Sequence, residues 1–429
     1  MADNWRRLSL KDANVRLIDC DHRTPAAVES GYPYVAIPEL KNGHIDLASA
    51  RRISEADFVQ WTRKARPIEN DVVLSRRTNP GVTAFVPRGA HFALGQNLVL
   101  LRSDGSRVYP PFLRWLVRGP EWWEQIGKFL NVGAVFDSLK CADVPKFELH
   151  IPPISEQRTI AHILAVLDDR IESNRRLDET LKAIARALFK SWFVDFDPVR
   201  ANAEGRETGL PKRLASLLPA AFADSELGEV PAGWNVCGLD EIARFLNGLA
   251  LQKFPPVDRR SLPVIKIAQL RAGNVLGADE ASADLAPEYV VDDGDVLFSW
   301  SGSLECVLWA GGKGALNQHL FKVDSREYPK WLYYLWIHQH LDDFRHIAAG
   351  KATTMGHIQR HHLSEAKVVL PPLNLIEALD PIFAPFIESQ WRRNVQSRTL
   401  VELRDTLLPK LIAGELRVKD VEKQVEEVV

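Results

Sequence analysis

The segment IPPISEQRTIAHILAVLDDRIESN at 151–174 returns, altered, as LPPLNLIEALDPIFAPFIESQ at 370–390. From Phe112, which matches Trp331, the two copies keep a constant offset of 219 without a gap as far as Val199 and Val418. Upstream the match continues with drifting offsets. Trp5 pairs with Trp234, PYVAIPEL (33–40) with PVIKIAQL (263–270), NDVVLS (70–75) with GDVLFS (294–299), and LGQNLVLL (94–101) with LNQHLFKV (316–323). A chain of 429 residues built this way folds as two similar halves, not as one body. Each half has a variable front and a shorter back that starts at a Pro-Pro pair.

Short apolar runs in the fronts, such as DVVLS, GVTAFV and NLVLL in the first and DVLFSW, ECVLWA and HLFKV in the second, are separated by Gly, Asn and Ser and read as strands. Helical patterns follow, FLRWLVRG with EWWEQIGKFL and then WLYYLWIHQHLDDFRHI, so each front is an α+β domain. The stretch between the halves mixes Gly, Pro and charge and reads as a linker.

After each Pro-Pro, which ends a strand ladder, the spacing predicts a helix of about 40 residues. With Ile160 as position a, the first seam is Ile160, Ile163, Leu167, Arg170, Asn174, Leu177, Leu181, Ile184, Leu188 and Ser191. The second is Leu379, Ile382, Phe386, Ser389, Arg393, Gln396, Leu400, Leu403, Leu407 and Lys410. Both are apolar at the ends and polar in the middle, a layer that fixes register at some cost in stability. The pattern leaves the direction open. A pseudo-two-fold axis relating the halves makes the arms antiparallel, with the fronts at opposite ends. The competing expectation is that each arm packs on its own domain as an amphipathic helix. Pro381 and Pro385 should delay or kink the start of the second arm.

Lys plus Arg number 54 against 56 Asp plus Glu, so a surface for nucleic acid has to be local. Cys20, Cys141, Cys237 and Cys306 match neither a disulfide framework nor a zinc spacing, and the N-terminus MADNWRRLSLKD lacks the apolar core of a signal peptide. With no apolar run long enough for a membrane span, a cytoplasmic chain is expected.

Catalytic motifs are sparse. No NPPY-like tetrapeptide, G-x-G-x-x-G cradle or P-loop occurs, and GGKG at 311–314 reads as a hairpin loop. Glu365 and Lys367 with Asp342 or Asp343 would suit a metal-dependent nuclease, but the repeat sets Lys146 and Glu148 opposite them, as on a solvated strand edge. His357, His361 and His362 lack a completing ligand set. For DNA, two loops follow the same repeated strand, SRRTNPG (75–81) and SWSGSLE (299–305). Arg76 and Arg77 suit phosphate or guanine, Asn79 suits adenine, and Trp300, Ser301 and Ser303 supply packing and hydrogen bonds. Lys351 is a further phosphate candidate.

The PP-x-x-EQ start of the first arm, LKAIARALFKSWFVDFDPV at 181–199, ELGEVPAGW at 226–234 and LRDTLLPKLIAGEL at 403–416 together resemble the specificity subunit of type I restriction-modification systems, over essentially the whole chain. The resemblance implies two tandem α+β target-recognition domains separated by two long helices in an antiparallel coiled coil, a pseudo-two-fold internal repeat. It divides the chain into a first recognition domain (1–153), first spacer helix (154–199), linker (200–230), second recognition domain (231–372), second spacer helix (373–417) and charged tail (418–429). It implies a non-catalytic subunit that reads a split, asymmetric double-stranded DNA target. Two methylation subunits and the restriction subunits dock on it, and S-adenosylmethionine, ATP and magnesium are used by those partners, with no cofactor held by this chain. A self-sufficient nuclease and a sequence-blind DNA adaptor are the alternatives. One departure stands out: Ser155, Glu156 and Gln157 of the first arm become Asn374, Leu375 and Ile376 in the second, which questions the equivalence of the two docking surfaces.

Overall fold

A computed structural model describes residues 5–133, 137–257, 260–350, 356–416 and 421. The chain forms two units, residues 1–170 with 400–429, and residues 171–399. Two continuous 40-residue helices, Ile154–Phe193 and Leu373–Ile412, pass from one unit into the other.

In the first unit the main sheet has the order Val15–Asp19, Leu98–Ser103, Val72–Ser75, Thr83–Phe85, antiparallel throughout. Val72, Val73, Leu74 and Ser75 are all buried, so this strand does not alternate. A second sheet covers one face: Val73, Leu98 and Leu100 share a cluster with Val35 and Leu94 of a small sheet in which Tyr32–Val35 runs parallel to Ala93–Leu94. A strand covered on both faces reads as an apolar run. Arg6–Ser9 pairs with Glu148–Ile151, which brings the chain to the Pro-Pro.

The second unit repeats this plan, with one more strand, Val290–Val291, in its small sheet. Its main sheet runs Arg244–Asn247, Leu320–Asp324, Val296–Ser299, Cys306–Leu308. Ser261–Ile265 lies parallel to Gly314–Leu316 in the small sheet, and Asn235–Gly238 pairs with Lys367–Leu370. GGKG joins Cys306–Leu308 of one sheet to Gly314–Leu316 of the other, so it is a crossover and not the hairpin expected. Asp293 accepts from the Gly312 N–H at 2.8 Å and also binds Arg398 of the second arm. The stretch read as a linker is folded too. It holds helices Asp197–Ala203 and Lys212–Ala215 and a hairpin, with Val199, Leu214 and Val230 in the core beside Trp234.

Within the second unit the arms are antiparallel. Asn174 donates to Gln396 Oε1 at 3.1 Å, and fifteen residues on along the first arm Phe189 meets Phe383, thirteen residues back along the second. Both expectations for the arms hold here together, because Leu375, Leu379, Phe383 and Ile387 also enter the domain core, where Trp331 stacks on Phe383 at 4.7 Å. That packing explains why Pro381 and Pro385 do not delay the helix. Two lost backbone bonds are offset by a buried aromatic face, and the helix runs unbroken from Leu373.

The seam needs correction. Ile160, Ile163, Leu167 and Asn174 are buried, but Arg170, Leu177 and Ile184 are exposed, and Asp168, Asp178, Ala185 and Phe189 take the interior instead. Leu181 and Leu188 are half-buried. In the second arm Leu379, Leu400 and Leu407 are buried, whereas Ile382, Phe386, Ser389, Arg393, Gln396 and Leu403 are half-buried beside buried Phe383, Ile387, Gln390 and Arg404, and Lys410 is exposed. Ile163, Asn174 and Ala185 recur every eleven residues, the period of nearly straight helices; a seven-residue stripe drifts off the contact face over this length.

Candidate nucleic-acid interface

Antiparallel pairing brings Asp19, Leu98 and Ser75 to one end of the first unit's sheet, and Asn247, Leu320 and Ser299 to the same end of the second. The two predicted loops leave from there. In the first unit a recess of about 540 Å³ is lined by His22, Arg76, Arg77, Thr78, Gln96 and Asn97. Every lining residue is polar or charged.

The loop is held from within. Ser75 Oγ donates to the Arg77 carbonyl at 2.9 Å, the Arg76 N–H to the Asn97 carbonyl at 3.0 Å, and the Leu139 N–H to the Arg76 carbonyl at 2.9 Å. Thr78 sits at φ +64°, and its counterpart Gly302 at +65°. The two loops thus share a left-handed turn, free for glycine and strained for a β-branched residue. Arg76 is half-buried, with one guanidinium nitrogen 3.4 Å from the Leu139 carbonyl and its Nε enclosed without a partner, while Arg77 and Asn79 are exposed. Arg77 is therefore the group free to reach a ligand, and Arg76 braces the loop. Burial pushes the Asp19 carboxyl up, but the hydrogen bond and charge of His22 and the charges of Lys64 and Arg76 outweigh it and keep it below its usual range.

The equivalent loop of the second unit is built from rings. Trp300 Nε1 donates to Asn247 Oδ1 at 3.0 Å and to the Gln318 carbonyl at 3.1 Å, and its ring lies 5.7 Å from that of His319. Ser301 is buried and shares a hydrogen bond with His319 Nδ1 at 3.0 Å, so its expected role as a base contact gives way to one of orienting His319. Ser303 is exposed and its carbonyl accepts from Ser299 Oγ at 2.7 Å. Lys351 lies outside the described residues.

Sequence reasoning missed His22, Gln96 and Asn97 and their counterparts in the second unit, Gln318 and His319. For all but His22 the signal was present, since LGQNLVLL and LNQHLFKV align these positions.

The nuclease constellation does not converge. Lys367 Nζ pairs with Glu226 at 3.4 Å, and among the described residues Asp343 pairs only with His340, at 4.0 Å. His361, His362 and Glu365 approach one another, but His362 Nδ1 accepts the Gln359 N–H at 2.9 Å as a helix cap. Cys20 and Cys306 are buried, Cys141 and Cys237 half-buried, and all four are free thiols.

Two of the three mismatched positions at the arm starts are turned toward the domain. Gln157 is fully buried, its Nε2 donating to the Arg107 and Pro152 carbonyls, both at 2.8 Å, and its Oε1 accepting the Tyr109 N–H at 2.6 Å. Glu156 accepts from Trp5 Nε1 at 2.9 Å. In the second unit Leu375 and Ile376 are buried, and among the described residues the indole N–H of Trp234, counterpart of Trp5, has no partner. At Glu156 and Gln157 the difference concerns how each domain holds its own helix, whereas Ser155 and Asn374 lie on the surface.

Two matched α+β units with different loops at one shared sheet end define a two-site reader. A family model, Type I restriction modification DNA specificity domain, matches residues 23–183 and 231–388, and the chain belongs to that family. It is 25% identical over 407 residues to the type I restriction enzyme MjaIX specificity subunit of Methanocaldococcus jannaschii, covering 90% of each chain. It is 24% identical over 384 residues to the HindI specificity subunit of Haemophilus influenzae, covering 76% of this chain and 82% of that one. The crystal structure of a type I restriction-modification S subunit from M. genitalium has the same fold, with a TM-score of 0.55 at 15% identity over 96% of this chain and 97% of that one. Among the described residues no helix is long and apolar enough to cross a membrane.

Proposed function

We propose that this specificity subunit reads an asymmetric, bipartite DNA duplex, one half-site per unit, with the paired arms setting the gap. One observation carries the reading: the two units share the same four-stranded main sheet and the same parallel pair beside it, yet the loop ends differ in chemistry, with Arg76 and Arg77 in one and Trp300 and Ser301 in the other. A conserved frame with different readers suits a target whose halves differ. The chain recruits two methylation subunits and, for cleavage, restriction subunits. Those partners use S-adenosylmethionine, ATP and magnesium, and the chain itself is non-catalytic and holds no cofactor. Arg77, Asn79 and Ser303 face the duplex, Arg76 and Trp300 brace the loops, and Lys351 adds a phosphate contact.

The test is to co-express the chain with its methylation partner and map methylated sites on a plasmid library. A split motif with unlike halves is the expected result. A palindrome, or methylation without sequence preference, would overturn the proposal.

A further inference from the structure

At the reading end of each sheet one position, exposed in the first unit and half-buried in the second, keeps its residue while its neighbours change. Gln96 lies two residues before the strand Leu98–Ser103, and Gln318 two residues before Leu320–Asp324. Around them, Arg76 becomes Trp300, Arg77 becomes Ser301 and Asn97 becomes His319.

The two glutamines are also held alike. The Gln96 carbonyl accepts from His22 Nδ1 at 3.0 Å, since a carbonyl only accepts. The Gln318 carbonyl accepts from Trp300 Nε1 at 3.1 Å. In each unit a ring N–H fixes the backbone of the glutamine, while the side chain remains available. Among the described residues the Gln96 amide makes no hydrogen bond, and that of Gln318 has only a 3.3 Å contact from Nε2 to His319 Nε2. A fixed backbone carrying a free amide is preorganised to bind without ordering the loop.

We infer that Gln96 and Gln318 are the base readers common to both units, each taking one adenine of its half-site, and that the neighbouring unlike residues read the bases in which the halves differ. A carboxamide offers one donor beside one acceptor, the complement of adenine N6 and N7 in the major groove. In the first unit Gln96 shares its recess with Arg77, whose guanidinium suits an adjoining guanine or phosphate. The inference rests on the chain being a duplex reader and specifies how that same site works.

The experiment uses the full chain assembled with its methylation partner and a random-sequence duplex library selected by methylation. Gln96→Ala should reduce discrimination at one base pair of one half-site about tenfold, with the other half-site unchanged. Gln96→Glu replaces the donor by a second acceptor and should move the preference at that position from adenine toward cytosine, whose N4 donates. Gln318→Glu should do the same in the other half-site. A changed preference cannot arise from misfolding, so the glutamate variants separate reading from stability. Retention of the wild-type motif by both glutamate variants would overturn the inference, as would loss of both half-sites from a variant that melts like wild type. If the wild-type complex itself selects no split motif, the reading function fails and the inference with it.

Discussion

Asp168 of the first arm and Arg404 of the second form an ion pair within the first unit, Oδ1 to Nη1 2.7 Å, with 2% and 8% of their side chains exposed. His44 Nε2 and Arg114 Nη2 of the front domain reach the other carboxylate oxygen at 3.1 and 3.5 Å. The repeat places Ile387 and Ala185 at the equivalent positions of the second unit, both buried. One junction of arm and domain is thus ionic and the other apolar, so an arm paired out of register would set a buried charge against hydrocarbon.

Removing one member of the pair should be costly and unequal. Asp168→Ala leaves the Arg114 and Arg404 guanidiniums and His44 without their carboxylate and should destabilise the first unit by about 4 kcal/mol. Arg404→Ala leaves Asp168 with His44 and Arg114 and should cost less, about 3 kcal/mol. Hydrogen exchange followed peptide by peptide reports each unit separately; equal losses for the two variants would contradict this account.

The same carboxylate makes the first unit acid-sensitive. Burial pushes its pKa up, but the hydrogen bond and charge of His44 and the charges of Arg114 and Arg404 win and hold it at about 2. An aspartate in the unfolded chain titrates near about 4. Between those values the unfolded state binds more protons, so stability is complete above about pH 4 and falls as pH drops toward 2, by about 2 kcal/mol. Melting from pH 2 to 6 should show that slope in wild type and a flatter one in Asp168→Asn.

Gln157→Ala should destabilise the first unit by about 3 kcal/mol, because three backbone groups lose a buried partner. Its inward position makes a second outcome checkable: folded variant should still bind the methylation partner at wild-type affinity in a pull-down titration. Weakened binding by well-folded protein would return this residue to the docking surface.

Thr78→Gly should stabilise the first unit by about 1 kcal/mol, since the left-handed turn at φ +64° strains a β-branched residue. Gly302 holds the same turn without strain in the second unit. Denaturant midpoints measure the gain, and a loss instead would mean that the Thr78 side chain supports the loop.

If the arms set the gap, their length should dictate it. Removing eleven central residues from each helix preserves the interior stripe, which recurs at that interval, and shortens each by about 16 Å. Methylation mapping should then find both half-sites intact and their separation reduced by about five base pairs. An unchanged separation would sink the spacer role.

The framework was legible because duplication wrote it twice. Val72–Ser75 and Val296–Ser299 are apolar on both faces in each copy, and the strand ends align the reading loops without any structural knowledge. What escaped was whatever depends on three dimensions. Ser301 looked like a free hydroxyl until folding closed His319 over it, and Gln157 looked like surface until Arg107 and Tyr109 met it. The seven-residue seam misplaced Leu177 and Ile184 because a small periodic error accumulates over forty residues. Asp168 was passed over, since the charges that make its burial tolerable come from Arg404, 236 residues away, and from a separate loop at His44.

That separation has a consequence for synthesis. The first unit contains residues from both ends of the chain, so the first reader cannot finish folding when its own sequence leaves the ribosome. Asp168 waits for Arg404 until nearly the whole polypeptide has been made, and a product stopped before residue 400 would hold that carboxylate with His44 and Arg114 alone. A first unit with this ion pair closed therefore belongs only to chains whose synthesis has passed Arg404.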